Sequence, residues 1–459
     1  MQNGWQLDQY DVKNAFVHAN IDKDIYIELP MGFNDHYNNK YNINKINTDN
    51  TVNKRLKLNN DSYNNKNNHI KINNNNNTNN NNNKVCKLLK ALYGLKQSPR
   101  LWYKHLLNIL KELGFTTLPF DEAIFIHLEY KIIIICHVDD LIITGPNKSI
   151  INNIISKLSL KLKIEYIGQV HQFLGMEINL NYKDKSIYIN QNKYLKTILK
   201  RFNKDKLNPI STPIELGLQL NKNNEQANKE DITKYQQQVG SLIYLAIKTK
   251  PDIVYAVNRC ARFMSNPNIS HFKALDRIWK YLNNYPTLGT YYNCNNNNSL
   301  ELRGYTDADW GGDIISRKST SGYIFLLNNN IISWLSILQK TVALSSCEAE
   351  YMAFKEAIKE LIYLNNLVTY FSNFLNMPIN NKIPLLLTDS ESALKLANNP
   401  EFHKRSKHID ITYHFIREAI LDKKTDLIYI NTKNQLADGF TKGLDTTKHK
   451  AFISTLNLR

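Results

Sequence analysis

Two apolar runs, Lys131-Ile-Ile-Ile-Ile-Cys136 and Leu141-Ile-Ile-Thr-Gly145, flank the short polar centre His137-Val-Asp-Asp140. β-Branched runs on both sides of such a centre predict a β-hairpin whose tip carries the acids. Successive strand residues point to opposite faces, so one of Asp139 and Asp140 is expected to meet a cation directly while the other sits beside it. Adjacent carboxylates in an apolar setting repel unless a cation holds them together. A metal site is one reading; a solvated surface turn is the other, and for a bare Asp-Asp pair it is the commoner. A metal site needs a third carboxylate. The segment Trp5-Gln-Leu-Asp-Gln-Tyr-Asp11-Val-Lys-Asn-Ala-Phe16 offers one, reading as a strand that ends in Asp11 and turns into a short helix.

The second half has its own pattern of strands and acids. Gly304-Tyr-Thr-Asp307-Ala-Asp309-Trp310 reads as a strand bearing Asp307, followed by strand-like Ser321–Leu327, Ile331–Trp334 and Thr341–Leu344. Ser345 and Ser346 then cap a helix with Glu348 in its first turn and Met352, Ala353, Glu356, Ile358 and Leu361 following. Pro384–Ser390 is an apolar strand ending in Asp389, and Leu427–Ile430 leads into Asn434–Asp438.

Polar breaks divide these elements. Residues 34 to 83 are Asn-rich, with too little apolar surface to offset the entropy of ordering, and are expected to be a disordered insertion between two pieces of one domain. A smaller break, Gly217 to Asp231, precedes a helical region from Tyr235 to Tyr285. Another, Asn293 to Ser299, precedes the strand-like Leu300–Tyr305. The domains expected are 1–215, 216–300 and 301–459.

Composition narrows the classes. At 459 residues the chain is long enough for two or three domains. No apolar run approaches the roughly 20 residues that span a bilayer, and the start lacks the pattern of a signal peptide. The five cysteines form no Cys-x-x-Cys pair, which argues against zinc ribbons and a disulfide framework and makes a reducing intracellular compartment the expectation. The net charge of +17 suits a polyanionic partner, although AT-rich coding sequence also enriches Lys, Asn and Ile.

Five motifs occur in a family order: Gln9–Phe16, Ile25-Tyr-Ile-Glu-Leu-Pro-Met-Gly-Phe33, Val85–Arg100, His137–Asp140 and Phe173-Leu-Gly-Met-Glu-Ile178. Together they resemble the reverse transcriptases of copia-type LTR retrotransposons. The resemblance covers essentially the whole chain apart from the Asn-rich insert. It implies an α+β right-hand palm and fingers, a helical thumb or connection, and an α/β ribonuclease H-like domain. The implied function is RNA-directed DNA polymerase with ribonuclease H activity, part of a retrotransposon polyprotein. Asp11, Asp139 and Asp140 would hold two Mg2+ ions, as would Asp307, Glu348, Asp389 and Asp438 at a second site, with Mn2+ as a substitute. Asp309, Glu350 and Glu391 rank below those four because they fit the family positions less well. The family match makes Phe16 the gate against a 2′-hydroxyl, Lys96, Gln97 and Arg100 template contacts, Phe173, Gly175 and Met176 a primer grip, and His408 a hybrid contact. A zinc site from His403, His408 and His414 has the residue types but no common spacing.

Implied partners are an RNA template, a DNA primer, an RNA/DNA hybrid, deoxynucleotide triphosphates and a second copy in a homodimer, with no membrane. The implied location is a cytoplasmic particle with a nuclear phase. Three departures from the family stand out. Only ten residues precede Asp11 where the family has a long fingers segment, so a truncated chain is expected; His137 replaces the usual Tyr; and the insert is long. A ribonuclease H beside a non-functional polymerase, or a silent nucleic-acid-binding relic, are the alternatives. Val239–Ala246, Pro251–Tyr255 and Arg262-Phe-Met-Ser-Asn-Pro267 resemble the family's helical link and carry no chemistry legible in sequence.

Overall fold

The computed structural model describes residues 4–28, 85–294, 299–398 and 410–459. The insert over 34–83, part of the Ile25–Phe33 motif, and His403 and His408 lie outside them. Two compact units, Trp5–Val170 and His171–Arg459, make up the described chain. The boundary expected at 215/216 falls inside the second unit.

The first unit is built on an antiparallel six-stranded sheet. Its elements are β1 (Gln6–Val12), α1 (Ala15–His18), β2 (Tyr26–Glu28), β3 (Val85–Lys87), α2 (Ser98–Glu112), β4 (Thr116–Leu118), β5 (Asp121–His127), β6 (Ile132–His137), β7 (Asp140–Gly145), α3 (Lys148–Ser159) and β8 (Ile164–Gln169). The sheet runs β4-β5-β6-β7-β1-β8, and β2 pairs with β3 apart from it. Alternation sorts the side chains. Tyr10 and Val12 of β1 and Leu141 and Ile143 of β7 share a core with Trp102 and Leu106 of α2 and Ile151 and Ile154 of α3. By the period of two, Gln9, Asp11, Asp140 and Ile142 take the other face. Burying the apolar face contributes roughly 25 cal/mol per Å2.

The expected hairpin forms between β6 and β7, with His137 opposite Asp140 and Val138-Asp139 as its two-residue loop. Val138 is left-handed (φ 59°), whereas Asp139 is absent from the positive-φ residues. That is the type II′ pattern, where glycine is favoured and a β-branched residue is strained. Surrounding bonds hold it: Trp102 Nε1 donates to the Val138 carbonyl at 2.6 Å, and the Val12 amide donates to the Asp139 carbonyl at 2.8 Å.

The second unit opens with a small sheet ordered β12-β11-β10-β9, from β9 (Gln172–Phe173), β10 (Met176–Asn181), β11 (Ser186–Asn190) and β12 (Thr290–Asn293). Between β11 and β12 come helices α4 (Asn192–Arg201), α5 (Lys229–Lys248), α6 (Val254–Ala261) and α7 (Ile269–Asn284). The next strands are β13 (Leu302–Asp309), β14 (Thr320–Leu327) and β15 (Asn330–Leu338), followed by α8 (Ser346–Leu375), β16 (Leu385–Thr388), α9 (Glu391–Asn398), α10 (Asp410–Leu421), β17 (Asp426–Tyr429), α11 (Asp438–Thr441) and α12 (Thr446–Thr455). Their sheet runs β15-β14-β13-β16-β17, antiparallel through β13 and parallel beyond it.

This five-stranded sheet is covered on both faces. Ile324 and Leu326 of β14 and Ile331 of β15 join the core of α4 to α7, while Tyr323 and Phe325 pack with Phe354, Ile358 and Leu361 of α8. Trp334 Nε1 donates to the Ala246 carbonyl at 2.9 Å, and Asn258 Nδ2 to the Ser336 carbonyl at 3.0 Å. The boundary expected at 300/301 is thus bridged by one continuous core. Thr341–Leu344, expected as a strand, is not one: Val342 and Leu344 are exposed, and the segment leads into the Ser345 cap of α8. Among the described residues no helix is long and apolar enough to cross a membrane.

Candidate metal centres

In the first unit, β1 and β7 set Asp11 opposite Asp140, and the hairpin loop presents Asp139. A donor meets each acid. Lys13 Nζ lies 3.0 Å from Asp11 Oδ2, Gln9 Nε2 donates to Asp140 Oδ1 at 3.2 Å, and the Tyr93 hydroxyl donates to Asp139 Oδ2 at 3.2 Å. Lys13 also reaches Glu165 at 2.7 Å. The ring of Tyr93 stands 4.3 Å from that of Phe16, which is itself buried. Burial, with Asp139 adding to it, pushes the Tyr93 phenol up to about 12, so it stays a donor at neutral pH. Sequence reasoning missed Tyr93, although it stands inside the Val85–Arg100 motif.

The second unit gathers its acids more tightly. Asp307 of β13, Glu350 of α8 and Asp389 just past β16 each offer a carboxylate oxygen, all within 4.8 Å of one another. Among the described residues this is the one set of three metal-ligating side chains so close. Asp307 and Glu350 are buried. Thr441 Oγ1 donates to Asp307, and Gln435 Nε2 bonds the Thr306 carbonyl at 2.9 Å and reaches Asp389 Oδ1 at 3.5 Å. Glu350 Oε2 is buried without a hydrogen-bond partner. Burial pushes Asp307 up to about 6, Lys442 opposing and Asp438 and Asp389 adding to the rise. Burial, then Asp307 and Asp389, holds Glu350 well above the ordinary carboxylate range. Three hard oxygen donors, mutually repelling and incompletely hydrogen-bonded, fit a small divalent cation.

The cluster holds Glu350 where Glu348 was expected. Glu348 accepts from the Leu344 amide at 2.7 Å, while its own amide donates to the Ser345 side chain at 3.2 Å; it closes the N-terminus of α8. Residues two apart on a helix point roughly 200° apart at 3.6 residues per turn, so only one can face the sheet. Glu350 lies on the buried stripe with Phe354, Ala357 and Leu361. That periodicity was the available signal. Asp438, at the start of α11, pairs with Lys442 at 2.8 Å and lies near Asp307 without joining the set of three. Thr441 and Gln435 carried no signal of their own.

The remaining expected residues are placed individually. Lys96 and Arg100 are exposed at the start of α2, and Gln97 is its N-cap. Phe173 is buried and pairs with Met176 across the β9–β10 turn, where Leu174 and Gly175 both have positive φ. A Cβ on Gly175 would come within 2.2 Å of the Tyr244 hydroxyl, which bonds the Leu174 carbonyl at 2.7 Å. Glycine is required there by both backbone and space.

The family described as reverse transcriptase (RNA-dependent DNA polymerase) matches residues 58–216. Across its full length the chain is 34% identical to the retrovirus-related Pol polyprotein from transposon RE1 of Arabidopsis thaliana, and over 96% of its length it is 33% identical to that from transposon TNT 1-94 of Nicotiana tabacum. It spans only 28% and 30% of these relatives. A solved foamy viral protease-reverse transcriptase in complex with dsDNA matches at a TM-score of 0.38 and 14% identity, covering 76% of this chain and 62% of that one. Over essentially its whole length the chain is thus similar to copia-type Pol polyproteins, with a reverse transcriptase domain followed by a mixed five-stranded sheet in the order of a ribonuclease H-like fold.

Proposed function

We propose that this chain is the RNA-directed DNA polymerase and ribonuclease H portion of a retrotransposon polyprotein. The observation that carries the nuclease half is the buried set Asp307, Glu350 and Asp389. Its donors suit Mg2+, with Mn2+ as a substitute, and two ions per site. When bound, such ions activate water or a primer hydroxyl and stabilise charge on the reacting phosphate. The chain's own part is to orient and exclude water: Thr441 fixes Asp307, Gln435 steadies Asp389, and burial of Asp307 and Glu350 keeps bulk water from them. Asp438 and its partner Lys442 stand at the edge of this set.

In the polymerase half, Asp11, Asp139 and Asp140 would hold metal once Lys13, Gln9 and Tyr93 yield. Phe16, backed by Tyr93, would exclude a 2′-hydroxyl by volume. Lys96, Gln97 and Arg100 would contact template, and Phe173, Gly175 and Met176 the primer. The substrates would be an RNA template, a DNA primer, deoxynucleotide triphosphates and an RNA/DNA hybrid, with a homodimer as the working unit in a cytoplasmic particle.

A second reading, nuclease without polymerase, is favoured by one observation: the nuclease acids are assembled, whereas each polymerase acid is occupied by a neighbouring donor. Primer extension and hybrid cleavage, run in parallel with magnesium and with chelator, separate the two. Changing Asp307→Asn and Asp389→Asn together should abolish cleavage while hybrid binding persists; retained cleavage sinks the nuclease assignment.

A further inference from the structure

The linking motif Arg262-Phe-Met-Ser-Asn-Pro267 takes no part in either acid centre, yet it forms one wall of a cavity of about 330 Å3. The opposite wall is the loop between β13 and β14. Three cations from three separate segments line this space: Lys222 ahead of α5, Arg262 at the end of α6, and Lys318 on the β13–β14 loop. Neither Lys222 nor Lys318 is paired with an acid among the described residues. Ser265 and Ser316 add hydroxyls.

The one acid on the wall is already neutralised. Asp313 accepts from the Ser316 amide and hydroxyl, and lies 3.5 Å from Arg262 Nη1 and 4.0 Å from Arg259 Nη1. Arg262 Nη2 bonds Asn258 and Thr320 at 3.1 Å, which holds the guanidinium in place. Its Nε remains buried with no acceptor. A fixed guanidinium with a donor to spare, two unpaired ammonium groups and a neutralised carboxylate favour an added anion. At about 30 Å3 per water, the cavity has room for a phosphate group and several waters.

We propose that this cavity is a phosphate-binding site that grips one backbone phosphate of the nucleic acid engaged by the nuclease acids of the same unit. The inference rests on the nuclease reading for the source of the phosphate, and on the cavity alone for its chemistry. Arg262 supplies the buried charge, and Lys222 and Lys318 close over the phosphate from the two sides. The link helices thereby contribute to substrate binding as well as to the core.

The test measures binding of an RNA/DNA hybrid to the full chain in chelator, across a salt series, so that cleavage plays no part. Lys222→Ala with Lys318→Ala, both outside the core, should weaken binding roughly tenfold at low salt, equally for unrelated sequences, and lower the salt slope by about 1 per lysine that meets phosphate. Arg262→Lys reads the buried group, its folding checked by thermal unfolding. Inorganic phosphate is the second probe. If it stabilises the parent but not the double variant while hybrid binding is unchanged, the phosphate site stands with free phosphate as its source. Unchanged hybrid binding together with no phosphate effect overturns the proposal. Altered binding in a chain that never cleaves hybrid would leave the site standing and remove the nuclease reading.

Discussion

The two acid centres of this chain solve the same electrostatic problem differently. In the first unit, Asp11, Asp139 and Asp140 are half-buried on a sheet face and hairpin tip, and each is quieted by its own neighbour, Lys13, Tyr93 or Gln9. In the second, Asp307, Glu350 and Asp389 face one another, and Glu350 has no hydrogen bond on one oxygen. Each acid of the first set has a donor of its own. The second carries unrelieved repulsion that a cation would remove, so it is the better prepared of the two.

The sharpest way to break this contrast is at Glu350. Glu350→Gln should lower hybrid cleavage on the order of a hundredfold to a thousandfold, measured as single-turnover rates with magnesium; normal cleavage would show that Glu350 is a buried core acid. Next in size is metal-linked stability. Magnesium at about a hundred times its dissociation constant should stabilise the second unit by about 2.7 kcal/mol, seen as a rise of its unfolding midpoint that Glu350→Gln reduces; a larger rise in the first unit would invert the comparison.

Acidity gives a third measure. Asp307 has a folded pKa near 6 against an ordinary 3.8, so the folded state binds more protons between those values. With chelator present, stability of the second unit should therefore fall as pH rises from about 4 through about 6, and go on falling while Glu350, also raised, gives up its proton, the sign expected of raised carboxylates. Magnesium, which favours the ionised form, should flatten or reverse that slope in denaturant titrations.

Smaller effects separate positioning from chemistry. Tyr93→Phe removes one hydrogen bond to Asp139, worth about 0.5–1.5 kcal/mol, and should change primer extension by less than about tenfold. Glu348→Ala should cost about 1 kcal/mol through the lost cap and leave cleavage within about threefold. A large loss of cleavage there would return Glu348 to the ligand set.

Local patterns were legible in sequence where local physics decides. The hairpin of His137 to Asp140, the Ser345 cap and the strand ahead of Asp389 all follow from β-branched runs, a hydroxyl before a helix and an apolar segment ending in an acid. What stayed hidden depends on contacts distant in the chain. Tyr93 reaches Asp139 across 46 positions and Thr441 reaches Asp307 across 134, and neither has a periodic signature. Glu350 was legible but outweighed: an acid on an apolar stripe reads as an exception until the strand it faces is known. The strand expected at Thr341–Leu344 failed because alternation without a neighbouring strand has nothing to bury against.

β14 is the feature with the widest reach. Its odd and even residues answer to different cores, Tyr323 and Phe325 to one and Ile324 and Leu326 to the other. A strand with no solvent face has no position at which a neutral drift of side chains is free, and it ties the sheet that bears Asp307 to helices that hold none of the clustered acids. Shuffling or redesigning this sheet as a module would leave a greasy face seeking a new cover, so whatever inherits the acid cluster must carry the helices with it.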